Sequence, residues 1–368
     1  MLTETVREKV RVVEGAPEDK KSVASAIFNV VMFLVGGIAL AWMLRTTSWP
    51  ELRSVIAGVG AWAALILGLD LIALVLDALA WHAFMRPEAR MVPFWRVLGA
   101  WASGRAINVL TPSGALGEAT KVTMLLNHAP RSRVLSSIVL LNISMLYFSV
   151  TVMMIGIPLT LLLIDLPSEI KVLVGIGVAV IIPAMVALGF VIHRGAMSTL
   201  VGTLRRFRLI SADGKTKWKE KLKDVDRHIR ELHTDRTSGT RTGFVFVLLS
   251  KIVNYTATIM LLAAVGVPLT PALVIGVMSV GVLISWIAAI VPLGIGVADG
   301  GNYALYALLG ATGEQGLFVT MLTRARTVVV AMLGLAMMAG LTILDRLFKR
   351  RIQQKIQTMK ADAAAKTD

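Results

Sequence analysis

An all-α polytopic membrane protein, with about six full transmembrane helices plus two re-entrant broken-helix hairpins, follows from three features of the chain. Hydrophobic residues fill 56% of the 368 positions and the mean hydropathy is +0.73, more apolar than a soluble core requires. The apolar residues come in runs of about twenty, the length that crosses ~30 Å of hydrocarbon at ~1.5 Å per residue. Two of the apolar regions are split by Pro/Gly clusters, at Thr111-Pro112-Ser113-Gly114 and at Pro292-Leu293-Gly294-Ile295-Gly296.

Residues 1–23 make a cytoplasmic N-terminal segment, followed by a transmembrane domain over 24–345. Its first span is 24–44; with 21 residues, Ala24–Leu44 exceeds a signal-peptide core and reads as uncleaved. A second span covers 55–80. Region 94–127 follows, divided by its Pro/Gly cluster into arms of about 12–20 residues, short for spans, which suits a re-entrant hairpin whose irregular backbone is buried in protein or lines a wet cavity. Spans at 134–158 and 171–192 precede a basic loop, 194–241. The fifth span, 243–265, leads to the second broken region, 271–311, and the last span, 318–343, runs into a basic tail over 346–368.

The net charge of +15, from 38 basic and 23 acidic residues, is concentrated in the 194–241 loop and the tail. That is a positive-inside bias, and it puts the N-terminus, the loop and the C-terminus in the cytoplasm. The order span, span, broken hairpin, span over about 24–158 recurs over about 171–343. Three spans precede the second unit, so it sits upside down, an inverted repeat with discontinuous helices of the kind transporters use.

Within the loop, Trp218, Leu222, Val225, Ile229 and Leu232 form one apolar helical stripe backed by Lys and Arg. It suits a helix lying on the inner leaflet or packed on the protein's own cytoplasmic face. Leu344, Phe348, Ile352 and Ile356 make a weaker stripe that extends the last span as a helix.

Several function classes are excluded or unsupported. The basic segments lack the aromatic interleaving and motifs of nucleic-acid binders, so no nucleic-acid partner is expected. With no cysteine there is no disulfide or thiol chemistry, and the five histidines lack metal spacing. No metal site and no cofactor is expected. Gly294-Ile295-Gly296-Val297-Ala298-Asp299 lacks the last glycine of a dinucleotide fingerprint and follows a membrane segment. No Walker motif is present.

The candidate site residues cluster at the two breaks. In the first, Pro112, Gly114 and Gly117 open the helix and free N–H groups that suit a phosphate. Arg105 and Lys121 are placed to pair that phosphate, with Asn108 beside them, and Glu118 either holds the basic groups or exchanges a proton. An internal Arg105–Glu118 bridge is the architectural alternative. In the second, Pro292, Gly294 and Gly296 open the backbone, and Asp299 and Asn302 start the next arm; Asp299 is either a substrate-side group or a plain helix cap. On the last span, one of Arg324 and Arg326 faces the pathway while the other snorkels to the interface. Asp70 and Asp77 share a face of the second span and Lys251 lies on the fifth. An ionised group at membrane depth costs at least ~2.5–3.5 kcal/mol, so Asp70 and Lys251 are read as a buried pair or ion relay, while Asp77 reaches water.

With these residues in place, the chain resembles the flippase-type transmembrane domain of the lysylphosphatidylglycerol synthase/flippase family in a stand-alone form. The resemblance covers about residues 24–345 and rests on Asn108, Pro112, Gly114, Gly117, Glu118 and Lys121, then Pro292, Gly294, Gly296 and Asp299, then Arg324. Lys121 stands where the family often has Arg and Asp299 where it often has Glu, and the third span lacks an often-seen Glu-Arg pair. The soluble aminoacyl-transferase domain of two-domain members has no counterpart in this sequence. The resemblance implies a bacterial cytoplasmic (inner) membrane location. It also implies translocation of a lipid made by a separate lipid-synthesising enzyme, and the basic residues at the breaks suit a lipid that is anionic or phosphate-bearing.

The expected function is therefore a lipid flippase, not an enzyme, working without ATP hydrolysis on a lipid with a phosphate-bearing head group. A secondary transporter of a small anionic solute is the alternative, with an intramembrane lipid-modifying transferase behind it. A homo-oligomer is compatible with this reading.

Overall fold

The computed structural model describes residues 31, 34, 59–87, 92–111, 115–126, 128–164, 183, 238–288 and 296–364. The expected spans at 24–44 and 171–192, the 217–232 stripe, and Pro112, Gly114, Pro292 and Gly294 lie outside the residues described, three isolated positions apart. Among the described residues the fold is helical without strands: α1 Ala61–Phe84, α2 Phe94–Leu110, α3 Ala115–Leu125, α4 Arg131–Leu163, α5 Ser238–Ala264, α6 Pro271–Ala288, α7 Val297–Leu308 and α8 Gly313–Ala364.

Proline starts several of these helices. Pro93 and Pro130 precede α2 and α4 with φ of −58° and −57°, and Pro271 is the first residue of α6, positions where a missing N–H costs nothing and the fixed φ suits a helix. Thr312 and Gln315 cap α8 reciprocally: each backbone N–H donates to the other's side-chain oxygen, at 3.1 and 3.2 Å. Inside the bundle, hydroxyls at Ser103, Ser144, Thr160 and Thr320 donate to the carbonyl four residues earlier, which satisfies them where water is scarce.

Five helices are long and apolar enough to cross a membrane: α1, α4, α5, α6 and the part of α8 up to Asp345. The inclusion of α6 corrects one point of the expectation: this arm of region 271–311 is, by length and composition, long enough for a span. No charged residue, and no proline after the first position, interrupts Pro271–Ala288, so the helix runs 18 residues, and at ~1.5 Å per residue that is about 27 Å. Each broken region instead joins a long arm, α2 or α6, to a short one, α3 or α7, of 11 and 12 residues. The stripe of the tail is continuous with the last span, α8 running unbroken to Ala364.

The packing is set by small residues and by paired crossings. α1 and α5 lie antiparallel: Gly239 sits against Ala83 and Arg86, Gly243 against Phe84, and the Ser250 hydroxyl approaches the Ala73 carbonyl at 3.4 Å. α2 packs antiparallel on α8, with Ser103 donating to the Gly334 carbonyl at 3.2 Å and Arg96 paired with Asp345 at 2.7 Å. α4 packs antiparallel on α6 through Gly156 against Ser279 and Gly276 against Thr160. One apolar cluster, including Trp81, Phe84, Val97, Leu125 and Val134, fills one end of the bundle. Another, including Val59, Ile66, Leu262, Leu273, Leu305 and Val319, fills the other.

Candidate functional site

Residues of α2, α5, α6, α7 and α8 enclose a cavity of ≈ 600 Å³, within the ~300–1,000 Å³ range of small-molecule sites. It borders the second apolar cluster, since Leu261, Tyr306 and Val319 belong to both. Arg105 and Asn108, three apart near the end of α2, share a helix face toward it. Thr320, Thr323, Arg324 and Thr327 repeat at helical spacing along α8 and form the opposite wall, while α7 adds Asn302. A smaller cavity of ≈ 220 Å³ adjoins it, lined by Asp70, Arg105 and Arg326 among others.

Three guanidinium groups thus reach the larger cavity, and their commitments differ. Arg324 donates to Asp299 Oδ2 at 2.8 Å. Arg326 pairs with Asp70 at 3.0 Å. Arg105 is 3.7 Å from Asp77 Oδ2, a longer contact, and its side chain is 37% exposed against 24% and 17% for Arg324 and Arg326. Arg105 is the most available cation of the three.

At the start of α7, Asp299 Oδ2 also accepts the Gly296 N–H at 2.8 Å. The carboxylate is therefore a helix cap, one of the two readings the sequence offered, and it also holds Arg324, which the sequence did not suggest. Gly296 has a φ of 82°, a conformation that favours glycine, and this lets the chain turn into α7. Asn302 donates to the Thr320 hydroxyl at 2.8 Å and ties α7 to α8.

In the first hairpin Glu118 holds a basic group, as one of its two expected roles has it, and that group is Lys121. Glu118 Oε1 accepts from Lys121 Nζ at 2.6 Å and from Asn108 Nδ2 at 3.1 Å, and Oε2 accepts from Asn142 Nδ2 at 3.1 Å. Lys121 is 3% exposed and its ammonium lies 3.8 Å from the Trp101 ring centroid. Neither Glu118 nor Lys121 lines either cavity, so Lys121 does not stand where it would pair a phosphate there. The cause is the close approach of α3 to α2: a Cβ on Gly104 would collide with Lys121, and one on Gly117 with Asn108 and the Gly104 carbonyl. Arg105 faces Asp77 in place of the Arg105–Glu118 bridge.

Three more sequence expectations are corrected. Asp70 and Lys251 are not a pair: Asp70 takes Arg326, and Lys251 donates to the Ser149 hydroxyl at 3.0 Å. Helix rotation decides this, turning Asp70 toward α8 and Lys251 toward α4. Arg324 and Arg326 both line the cavity, each paired with a carboxylate, where one of the two was expected to snorkel, and Asp77, 5% exposed, does not reach water.

Sequence reasoning missed Trp101, Asn142, Tyr255 and Tyr306. A lone Asn in the apolar run Val139–Met145 was a legible signal for Asn142, because amides at membrane depth need partners. The arrangement as a whole offers an anion a concave, cationic surface with hydroxyl and amide donors at its rim. No curated protein and no solved structure is matched by the chain. Residues 29–334 match the family described as the lysylphosphatidylglycerol synthase TM region, and the protein belongs to that family.

Proposed function

We propose that this protein is a flippase that moves a lipid with a phosphate-bearing head group between leaflets without ATP hydrolysis. One observation carries the reading: Arg105, Arg324 and Arg326 converge on a ≈ 600 Å³ cavity between the end of α2 and the start of α7. A guanidinium at membrane depth is kept at a cost of at least ~2.5–3.5 kcal/mol, which is understandable where it serves a pathway. The cavity has room for a head group, and the tail stays in the bilayer. Arg105 makes the first bidentate contact with the phosphate, and Arg324 and Arg326 hold it as Asp299 and Asp70 give way.

The two halves form an inverted repeat on this reading, with α1, α2, α3 and α4 matched to α5, α6, α7 and α8. Its support is that matched helices have matched neighbours: α2 packs on α8 as α6 packs on α4, and α3 meets α4 as α7 meets α8. The Glu118–Asn142 hydrogen bond likewise corresponds to Asp299–Arg324. The matched pair α1 and α5 being antiparallel fits inverted halves. N- and C-termini lie in the cytoplasm of a bacterial cell whose own enzymes supply the lipid.

Liposomes containing the purified protein test this. A fluorescent phosphatidylglycerol or polyisoprenyl-phosphate analogue crosses faster than in empty liposomes, and Arg105→Ala lowers the rate to the empty-liposome background. Arg105→Lys is also impaired, since an ammonium cannot make two parallel bonds to one phosphate. Equal movement of a neutral glycolipid removes the phosphate assignment, and uptake of a soluble anion with no lipid movement puts a solute carrier in its place.

A further inference from the structure

Asp77 is the carboxylate that this reading has not used. It lies in the middle of the packed face of α1, 5% exposed, and its Oδ1 has no hydrogen-bond partner. Its Oδ2 has one ion-pair contact among the described residues, the 3.7 Å approach of Arg105. The charged and polar groups facing it come from three helices: Arg105 on α2, Lys121 on α3, and Ser250 and Lys251 on α5. Lys121 is held by Glu118 and Lys251 by Ser149. On α8, Arg326 is held by Asp70, and α4 adds no charge. Arg105, the counter-ion of Asp77, lines both cavities, as Arg326 does, and is the more exposed of the two.

We propose that Asp77 is a proton site coupled to substrate: when Arg105 turns to a phosphate in the cavity, Asp77 takes up a proton, and one proton crosses with each lipid anion. The inference rests on the phosphate-lipid reading above. The charges balance. Before binding, Arg105 offsets Asp77; a phosphodiester monoanion that takes Arg105 leaves Asp77 as a carboxylate without its counter-ion in a water-poor site, far less favourable there than its neutral acid. A proton from water bonds to an Asp77 carboxylate oxygen, giving the acid, and the group of Asp77, Arg105 and phosphate returns to zero net charge. Transport is then electroneutral, driven by a pH gradient and indifferent to membrane potential.

The test uses the full chain in weakly buffered detergent with a pH indicator and dihexanoyl phosphatidylglycerol, whose phosphodiester does not titrate near neutrality. Wild type takes up about one proton per lipid bound, and its apparent affinity rises by up to about tenfold per pH unit of acidification. Dihexanoylglycerol, without phosphate, causes no uptake. Asp77→Asn loses the uptake and Asp77→Glu keeps it. No uptake by wild type overturns the coupling whatever the variants do, and uptake that persists in Asp77→Asn overturns the assignment. In liposomes, an imposed pH gradient accumulates fluorescent phosphatidylglycerol in one leaflet, whereas a valinomycin potential does not. Lipid movement indifferent to the pH gradient overturns the coupling and leaves the flippase reading standing. Proton uptake on binding without lipid movement does the reverse.

Discussion

Lys121 and Arg105 show how two basic residues in one broken helix can be given to different tasks. Lys121 is closed off by Glu118, Trp101 and the backbone of Gly104, so its substitution acts on the fold. Removing one partner of a buried ion pair costs ~3–5 kcal/mol; Glu118 is 34% exposed and keeps Asn108 and Asn142, so Lys121→Ala falls near the low end, about 3 kcal/mol. The measurement is thermal unfolding in detergent, and a melting temperature equal to wild type would return Lys121 to the substrate side. The Glu118–Lys121 pair was legible in the sequence, because residues three apart on a helix are neighbours. Asp70–Arg326 and Asp77–Arg105 were not. Which carboxylate meets which cation depends on how α1 is rotated against α2, α5 and α8, and no spacing within one helix records that.

At the scale of the helix, the breaks at Pro112 and Pro292 and the proline-started helices could be read from residue type, whereas the unequal arms could not. α6 runs 18 residues against 12 for α7, and no residue type in either arm records that difference. Close crossings were equally hidden, since a glycine matters only where another backbone meets it. Gly334 on α8 is such a place: an added Cβ would meet the Ala102 carbonyl and, at 2.8 Å, the Ala106 Cβ of α2. Gly334→Leu forces α2 and α8 apart and destabilises the protein by about 1–3 kcal/mol or more. It also moves Arg105, carried on α2, away from Arg324, so lipid movement falls with stability. Gly340, six residues further along α8 with nothing within 4 Å of its Cβ position, is the control. Gly340→Ala leaves unfolding and transport at wild-type values, and a comparable loss there would mean that the α2–α8 crossing is not what Gly334 protects.

The whole molecule presents the same motif twice, a carboxylate early in a short helix reaching a polar side chain on the long helix that follows. Glu118 with Asn142 and Asp299 with Arg324 differ in charge, and of the four only Arg324 lines the cavity, so the second pair contributes a cation to it and the first does not. In the proposed inverted arrangement, matched positions stand on opposite sides of the membrane. Ser132 and Glu314 are such a pair, each the second residue of its long helix, α4 or α8, and each exposed. The chain has no cysteine, so single Ser132→Cys and Glu314→Cys variants report without background. A membrane-impermeant maleimide should modify Cys at 314 in intact cells and Cys at 132 only after the inner face is opened. Because Glu314 lies outside the Thr312–Gln315 cap and Ser132 differs from Cys by one atom, neither change disturbs its helix start. Labelling of both positions from one face would make the two hairpins enter from the same side. The matched packing of α2 on α8 and α6 on α4 would then need an explanation other than an inverted repeat.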